Sequence, residues 1–278
     1  MMRGAGPILL ASVCFGVMAV AVRCVGPALS AMQIAGIRFV GSFLVLLIGS
    51  RGGGLGPRTA SIGALVLRGL IGAAAIVCYF VGIRDAGAAV ATLVQNTHPV
   101  FTALIAGTIL RERVTVPVLV ALVLDLAGVA IVIGPGARLG PDVVRGALFA
   151  LGAAILAGGA VTTAGLLRRT ERASVITLYF MAVGALVTAP SLVGGVPPLS
   201  TPVVAALAVM IVTSAVGQWL LHHGLGFTTP TTGSLAAAAS VITAAICEAA
   251  WLGAVPAPHT LVGGALMLAA VWLASARA

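Results

Sequence analysis

Gln95, Asn96, Thr97 and His98 stand in a row, followed at once by Pro99, inside the apolar stretch LVQNTHPVFTALIAGTIL. Two amides and an imidazole donate and accept hydrogen bonds without a fixed charge, and an imidazole also takes up a proton near neutral pH. At 100° per residue, Gln95, His98 and Thr102 share one helix face, with Thr92, Asn96 and Pro99 on the adjoining one. Pro99 brings no N–H and pushes the Gln95 carbonyl out of the helical ladder. Irregular backbone beside polar side chains suits the kinked wall of a polar cavity. Hydrogen-bonded glue between helices would use the same residue types.

Three charged side chains also fall within apolar runs. Arg38, in QIAGIRFVGSFLVL, is too deep to belong to a joint, and a lone Arg at that depth costs several kcal/mol unless it meets protein or water. Its planar fork suits either an ion pair with Asp125 or Glu248, or the docking of a substrate carboxylate or phosphate. Asp125, in VLVALVLDLAGVA, has no polar neighbour in sequence. A carboxylate so placed is buried and paired, or loads and releases a proton, so Asp125 and Glu248 are the candidates for proton coupling. Further along, Gln218 and His222 are i, i+4 partners, as are Trp219 and His223, which makes Gln218 and Trp219 candidate cavity residues as well as interfacial anchors. No HxxxH or other metal-ligand spacing occurs, and Cys14, Cys24, Cys78 and Cys247 stand singly in apolar runs as packing residues, so no metal and no cofactor is expected.

The elements that position these groups follow from composition. Of 278 residues, 60% are hydrophobic and only 8% charged, with mean hydropathy +1.20. That is an integral membrane protein, in which a spanning helix takes roughly 20 apolar residues. Short Gly-, Pro- and Arg-bearing joints divide the chain into about ten spans, near 5–25, 31–50, 61–83, 87–110, 115–134, 144–166, 174–193, 203–223, 230–252 and 258–275. The first run is longer than a signal-peptide core and lacks a clear cleavage site, so it is expected to be a retained helix.

The net charge of +9 comes from 15 Arg and no Lys, scattered over the joints, with no basic block for a nucleic-acid backbone. With the N-terminus inside, Arg3, Arg51, Arg58, Arg68, Arg111, Arg113, Arg168, Arg169, Arg172 and Arg277 are inner and Arg23, Arg84, Arg138 and Arg145 outer. The excess predicts both termini in the cytoplasm. Gly16, Gly72, Gly107, Gly128, Gly158, Gly159, Gly217 and Gly264 would let helices approach closely.

A shift of 142 residues lays Gly82 on Gly224, Leu93 on Leu235, Ala103 on Ala245 and Leu124 on Leu266. Two five-span halves, 1–137 and 138–278, would each cross the membrane an odd number of times, so the second enters inverted. The chain resembles the EamA-type drug/metabolite transporters over all ten spans. Arg38 in its motif, the tract from the small-residue run through Pro99 to RERVT with Glu112, and LVALVLDLAGVAIV carry that resemblance. In the second half a proline near Val241 is missing, and Gly253-Ala254 stands where the acidic residue falls.

The resemblance implies an all-helical inner-membrane carrier of a small polar metabolite such as an amino acid, an exporter working by alternating access. Arg38, Gln95, Asn96, His98, Thr102, Gln218 and Trp219 are the candidate substrate-binding residues. No P-loop is present, so a proton gradient or an exchange substrate is the expected energy source. The alternatives are an organic-anion uptake or exchange carrier held on Arg38, and an intramembrane enzyme on a lipid-linked substrate. The enzyme would need clustered carboxylates, a metal set or a nucleophile elbow, and the sequence has none of these. The partners expected are a small molecule and the bilayer, without nucleic acid, and nothing in the sequence specifies an oligomeric state.

Overall fold

The computed structural model describes residues 2–49, 61–109, 116–133, 140–237, 239–253 and 258–275. Among them all regular structure is helical: α1 (Met2–Val25), α2 (Ala31–Gly49), α3 (Ile62–Ala86), α4 (Ala88–Gln95), α5 (His98–Ile109), α6 (Val116–Ile133), α7 (Pro141–Leu167), α8 (Ala173–Thr188), α9 (Thr201–Gly224), α10 (Pro230–Ala237), α11 (Ser240–Leu252) and α12 (Pro258–Ser275). A 3-10 turn, Ala189–Leu192, continues α8. Six stretches among the described residues are long and apolar enough to cross a membrane: Gly6–Val25, Ala31–Gly49, Ile62–Ala86, Pro141–Leu167, Ala173–Leu192 and Thr201–Gly224. Helix is the form that satisfies every backbone group within its own segment, which lipid requires. The joints predicted around Arg51, Arg58, Arg111, Glu112, Arg113 and Arg138, and the terminal Arg277, lie outside the described residues.

The span expected at 87–110 is two helices, α4 and α5, rather than one kinked helix. At the junction, Asn96 N–H bonds Thr92 O and Leu93 O, and Thr97 N–H closes onto Val94 O at 3.1 Å, so the ladder tightens from four-residue to three-residue steps. Pro99 supplies no N–H to resume it, and side chains cover the loose ends. His98 Nδ1 lies 3.2 Å from the Gln95 carbonyl, Thr97 Oγ1 donates to Val94 O, and Thr102 Oγ1 to His98 O. The span expected at 230–252 breaks as well, into α10 and α11, without a proline at the junction. There Ala239 N–H and Ile242 N–H make three-residue bonds to Ala236 O and Ala239 O.

The most extensive packing joins the first half of the chain to the second: α3 lies along α7, α1 along α9, α6 along α12 and α2 along α8. The two broken helices meet, α4 against α11 and α5 against α10. Close approach at these crossings depends on glycine. A Cβ at Gly16 of α1 would lie 2.5 Å from Thr243 Cβ and 2.9 Å from Ser240 O on α11. One at Gly158 of α7 would lie 2.7 Å from Phe101 Cβ and 2.9 Å from Thr102 N on α5. Gly217 meets Cys14 and Phe15 in the same way, whereas a Cβ added at Gly264 would meet nothing within 4 Å among the described residues.

Large apolar side chains such as Leu148, Leu186, Ile246 and Val262 are exposed on the outside of the bundle, where lipid replaces water as their neighbour. At one end, Arg145 at the start of α7 bonds Asp85 Oδ2 at the end of α3 at 2.9 Å, and Arg23 reaches the Ile83 carbonyl. Arg168 and Arg172 stand at the other end of α7. Arg68, assigned to an inner joint, is buried within α3 and is no joint residue.

Candidate functional site

A central cavity of about 110 Å³ opens where the two broken helices cross. Four sequence-predicted residues come from α2 and the α4–α5 junction, namely Arg38, Gln95, Asn96 and His98, and a fifth, Gln218, comes from α9. α3 adds Arg68, Gly72 and Tyr79, α8 adds Phe180, and α11 adds Ser240. Aliphatic and aromatic side chains of α1, α3 and α7 complete the wall, among them Phe15, Met18, Ile76 and Val161. No carboxylate stands among the lining residues described.

The amide end is tightly built. Asn96 Nδ2 donates to Thr92 O at 2.6 Å and to Ser240 Oγ at 3.3 Å, linking the two breaks across the bundle. A carbonyl can only accept, so the His98 Nδ1 facing Gln95 O carries the proton and its Nε2 is left as an acceptor. Tyr79 Oη and Thr92 Oγ1, both buried, lie 2.6 Å apart and tie α3 to α4. Tyr79→Phe removes that bond and leaves the Thr92 hydroxyl without its partner. The expected loss is about 1 kcal/mol, read as a lower midpoint in thermal unfolding followed by tryptophan fluorescence.

The guanidinium end is built differently. Arg38 is the eighth residue of α2 and Arg68 the seventh of α3, and both are buried. Phe180 sits between their roles: Arg68 Cζ lies 4.2 Å from its ring centroid and Arg38 Cζ 5.8 Å. Arg38 also lies over Phe39 at 4.8 Å and beside Phe80 at 5.9 Å. Ring faces attract a cation, worth about 0.5–2 kcal/mol each in such settings. None of the three guanidinium nitrogens of Arg38 has a hydrogen-bond partner among the described residues, nor do Nε and Nη1 of Arg68.

The remaining nitrogen of Arg68, Nη2, lies 3.1 Å from His222 Nε2. Thr177 gives its hydroxyl proton to Ala173 O at 2.7 Å and therefore accepts from His222 Nδ1, also at 2.7 Å. His222 is thus held with its proton on Nδ1 and its Nε2 lone pair toward Arg68 and the Gln218 amide.

The other predicted residues lie elsewhere. Thr102 is buried behind His98, its hydroxyl spent on the helix. Trp219 stacks on His223 at 5.3 Å, is 39% exposed and is not among the lining residues. Glu248 is buried on α11 and is not among the lining residues, and Arg38 has no hydrogen-bond partner among the described residues, Glu248 included. The Asp125 side chain lies outside the described set. Arg68 was the main omission. The available signal was its depth, since it stands as far into its span as Arg38 does in its own.

The geometry agrees with three comparisons. A chain of known structure, described as a crystal structure of a protein, superposes with a TM-score of 0.77 at 18% identity, covering 100% of this chain and 98% of that one. The pseudopaline exporter CntI of Pseudomonas aeruginosa is 27% identical over 264 residues, 94% of this chain and 92% of its own. An uncharacterized transporter of Helicobacter pylori is 26% identical over 141 residues, 48% of this chain and 45% of its own. The EamA-like transporter family matches twice, over residues 2–134 and again over 144–276. With both matches together spanning nearly the whole chain, and six helices among the described residues long and apolar enough to cross a membrane, this multi-pass membrane protein belongs to the EamA-like transporter family.

Proposed function

We propose that the chain is a secondary exporter of a small polar metabolite, working by alternating access around the central cavity. The observation that carries this reading is the cavity itself, at the crossing of two broken helices and lined by Arg38, Gln95, Asn96, His98 and Gln218. Broken helices at a midplane site are the usual construction of carriers built from inverted repeats.

Halves 1–137 and 138–278 are the two repeats in this reading. The family matches begin 142 residues apart, at 2 and 144. The same shift carries Gly16 onto Gly158, and relates the Thr243 Cβ and Ala244 N that Gly16 meets to the Phe101 Cβ and Thr102 N that Gly158 meets. Exchange of the halves also turns the α3–α7 pair into the α9–α1 pair. Rocking of one half against the other opens the cavity to either side, with both termini in the cytoplasm as the arginine excess favours. The direction of transport follows the exporter among the relatives. Asp125 and Glu248 are the coupling residues if protons drive the cycle.

The test uses purified protein in liposomes loaded with a pH-sensitive dye and challenged with amino acids and organic acids. At least one compound is expected to move saturably, with Arg38→Ala lowering its rate at least tenfold. Proton flux that accompanies it and disappears in Asp125→Asn assigns coupling to that carboxylate. A panel in which nothing moves faster than through protein-free liposomes sinks the reading.

A further inference from the structure

Two buried guanidinium groups share one aromatic ring at the cavity wall, yet five of their six nitrogens have no hydrogen-bond partner among the described residues. A buried cation is ordinarily paired with a carboxylate, because the desolvation cost is otherwise too high. Here the lining residues described offer amides, imidazole and hydroxyls, and no acidic side chain is among them. The residues around the pair hold it open. Gly72 stands one turn beyond Arg68 in α3, where any Cβ would collide with Arg68 Nη1 and with Phe180. Phe39 packs edge-on against Phe180 at 5.3 Å and fixes the ring that both cations face. His222, backed by Thr177, holds Arg68 by one nitrogen and leaves Nε and Nη1 free.

The half-to-half shift sharpens the point. Moved by 142 residues, Arg38 falls on Phe180 and Arg68 on Met210. The close-packed Gly16 recurs as Gly158 at this shift, whereas neither Arg38 nor Arg68 has a charged counterpart. The two arginines therefore serve something other than the shared architecture of the halves.

We infer that Arg38 and Arg68 form a binding site for a small organic dianion, whose two carboxylates complete the empty guanidinium forks while its carbon skeleton lies against the aliphatic wall. Two fixed cations with no carboxylate among the described lining residues call for two negative charges, and the planar fork matches the paired oxygens of a carboxylate. Phe15, Met18, Ile76 and Val161 give the carbon skeleton an apolar bed that inorganic phosphate would not fill. Gln95, Asn96 and Gln218 face the rest of the ligand and can read a hydroxyl or amine on it. The inference rests on the transport reading for its substrate role, but the site itself is tested without transport.

The experiment measures thermal shifts and calorimetric binding on purified protein in detergent, in a low-anion buffer. The probes are succinate, its monomethyl ester, inorganic phosphate and the zwitterion serine. Succinate is expected to bind saturably, at least tenfold more tightly than the monoester, phosphate or serine. Arg38→Gln and Arg68→Gln should each weaken it about 10- to 100-fold, the range of a charge-assisted hydrogen bond. Arg68→Lys should fall between. The unliganded Gln variants should melt at or above the parent temperature, since each removes a buried charge that has no counter-ion among the described residues, and that excludes unfolding as the cause of lost binding.

Serine or phosphate binding as tightly as succinate, or succinate binding that survives Arg38→Gln, overturns the dianion site. A liposome counterflow assay with labelled succinate separates the two readings. Counterflow of a zwitterion that is indifferent to both Arg substitutions overturns the dianion site and leaves the transporter intact. Tight succinate binding with no counterflow of any compound overturns the transport reading and leaves the dianion site standing.

Discussion

Gly158→Ala destabilises the protein by about 2–3 kcal/mol, the upper part of the range for overpacking a filled interior, whereas Gly152→Ala in the same helix leaves it unchanged or slightly more stable. Both substitutions raise helix propensity by about 1 kcal/mol, so the difference isolates packing. At position 158 the new methyl would sit 2.7 Å from Phe101 Cβ and 2.9 Å from both Phe101 C and Thr102 N. Two of those neighbours are backbone, which cannot rotate away as a side-chain end can. α5 must back off from α7, and the α4–α5 junction that presents Asn96 and His98 moves with it. At Gly152 nothing lies within 4 Å. Gly16→Ala is expected to behave as Gly158→Ala does, since its methyl would meet Thr243 Cβ, Ala244 N and Ser240 O at 2.5–2.9 Å. Denaturant titration of the three variants in mixed micelles, alongside the parent, reads the differences. Equal midpoints for Gly152→Ala and Gly158→Ala would remove the close crossing from the description of the fold.

His222→Leu costs about 2–4 kcal/mol, and Arg68→Met in the same chain returns most of it. The imidazole is fully buried and serves three neighbours at once: Thr177, Gln218 and the single partnered nitrogen of Arg68. Leucine fills the space and satisfies none of them, which leaves Arg68 as a buried cation without an acceptor. Removing that cation as well turns the cluster apolar, and an apolar replacement of a buried ionic cluster is often neutral or stabilising. A double-mutant cycle over the two positions, by thermal unfolding at fixed detergent concentration, should give an interaction energy of about 1–3 kcal/mol. Additive effects would show that Arg68 does not depend on His222. His222→Gln, whose amide oxygen can accept from Arg68, is expected to lose less than His222→Leu.

Much of the molecule was legible in one dimension. Hydropathy located the helices, because a chain in lipid must close its backbone hydrogen bonds locally and announces each span by some 20 apolar residues. The run of Gln95, Asn96, Thr97, His98 and Pro99 marked a break in a helix because proline and short polar side chains act on their own few neighbours. The break between α10 and α11 was not legible. It carries no proline and rests on packing against the first break, through Ser240 and Asn96, 144 positions apart.

What the sequence by itself determined is the membrane class, the all-helical apolar chain and the run of polar residues around position 95, all properties of local composition and spacing. The tertiary structure decided which charges share a site. It took Arg68 out of the joints, set it beside Arg38 over Phe180, and left Trp219 and Glu248 out of the cavity lining. The physical reason is that every one of these spans is apolar nearly all round, so its own pattern does not say which face meets which partner. Close packing at glycines such as Gly16 and Gly158 makes that choice, and it brings together side chains that lie far apart along the chain.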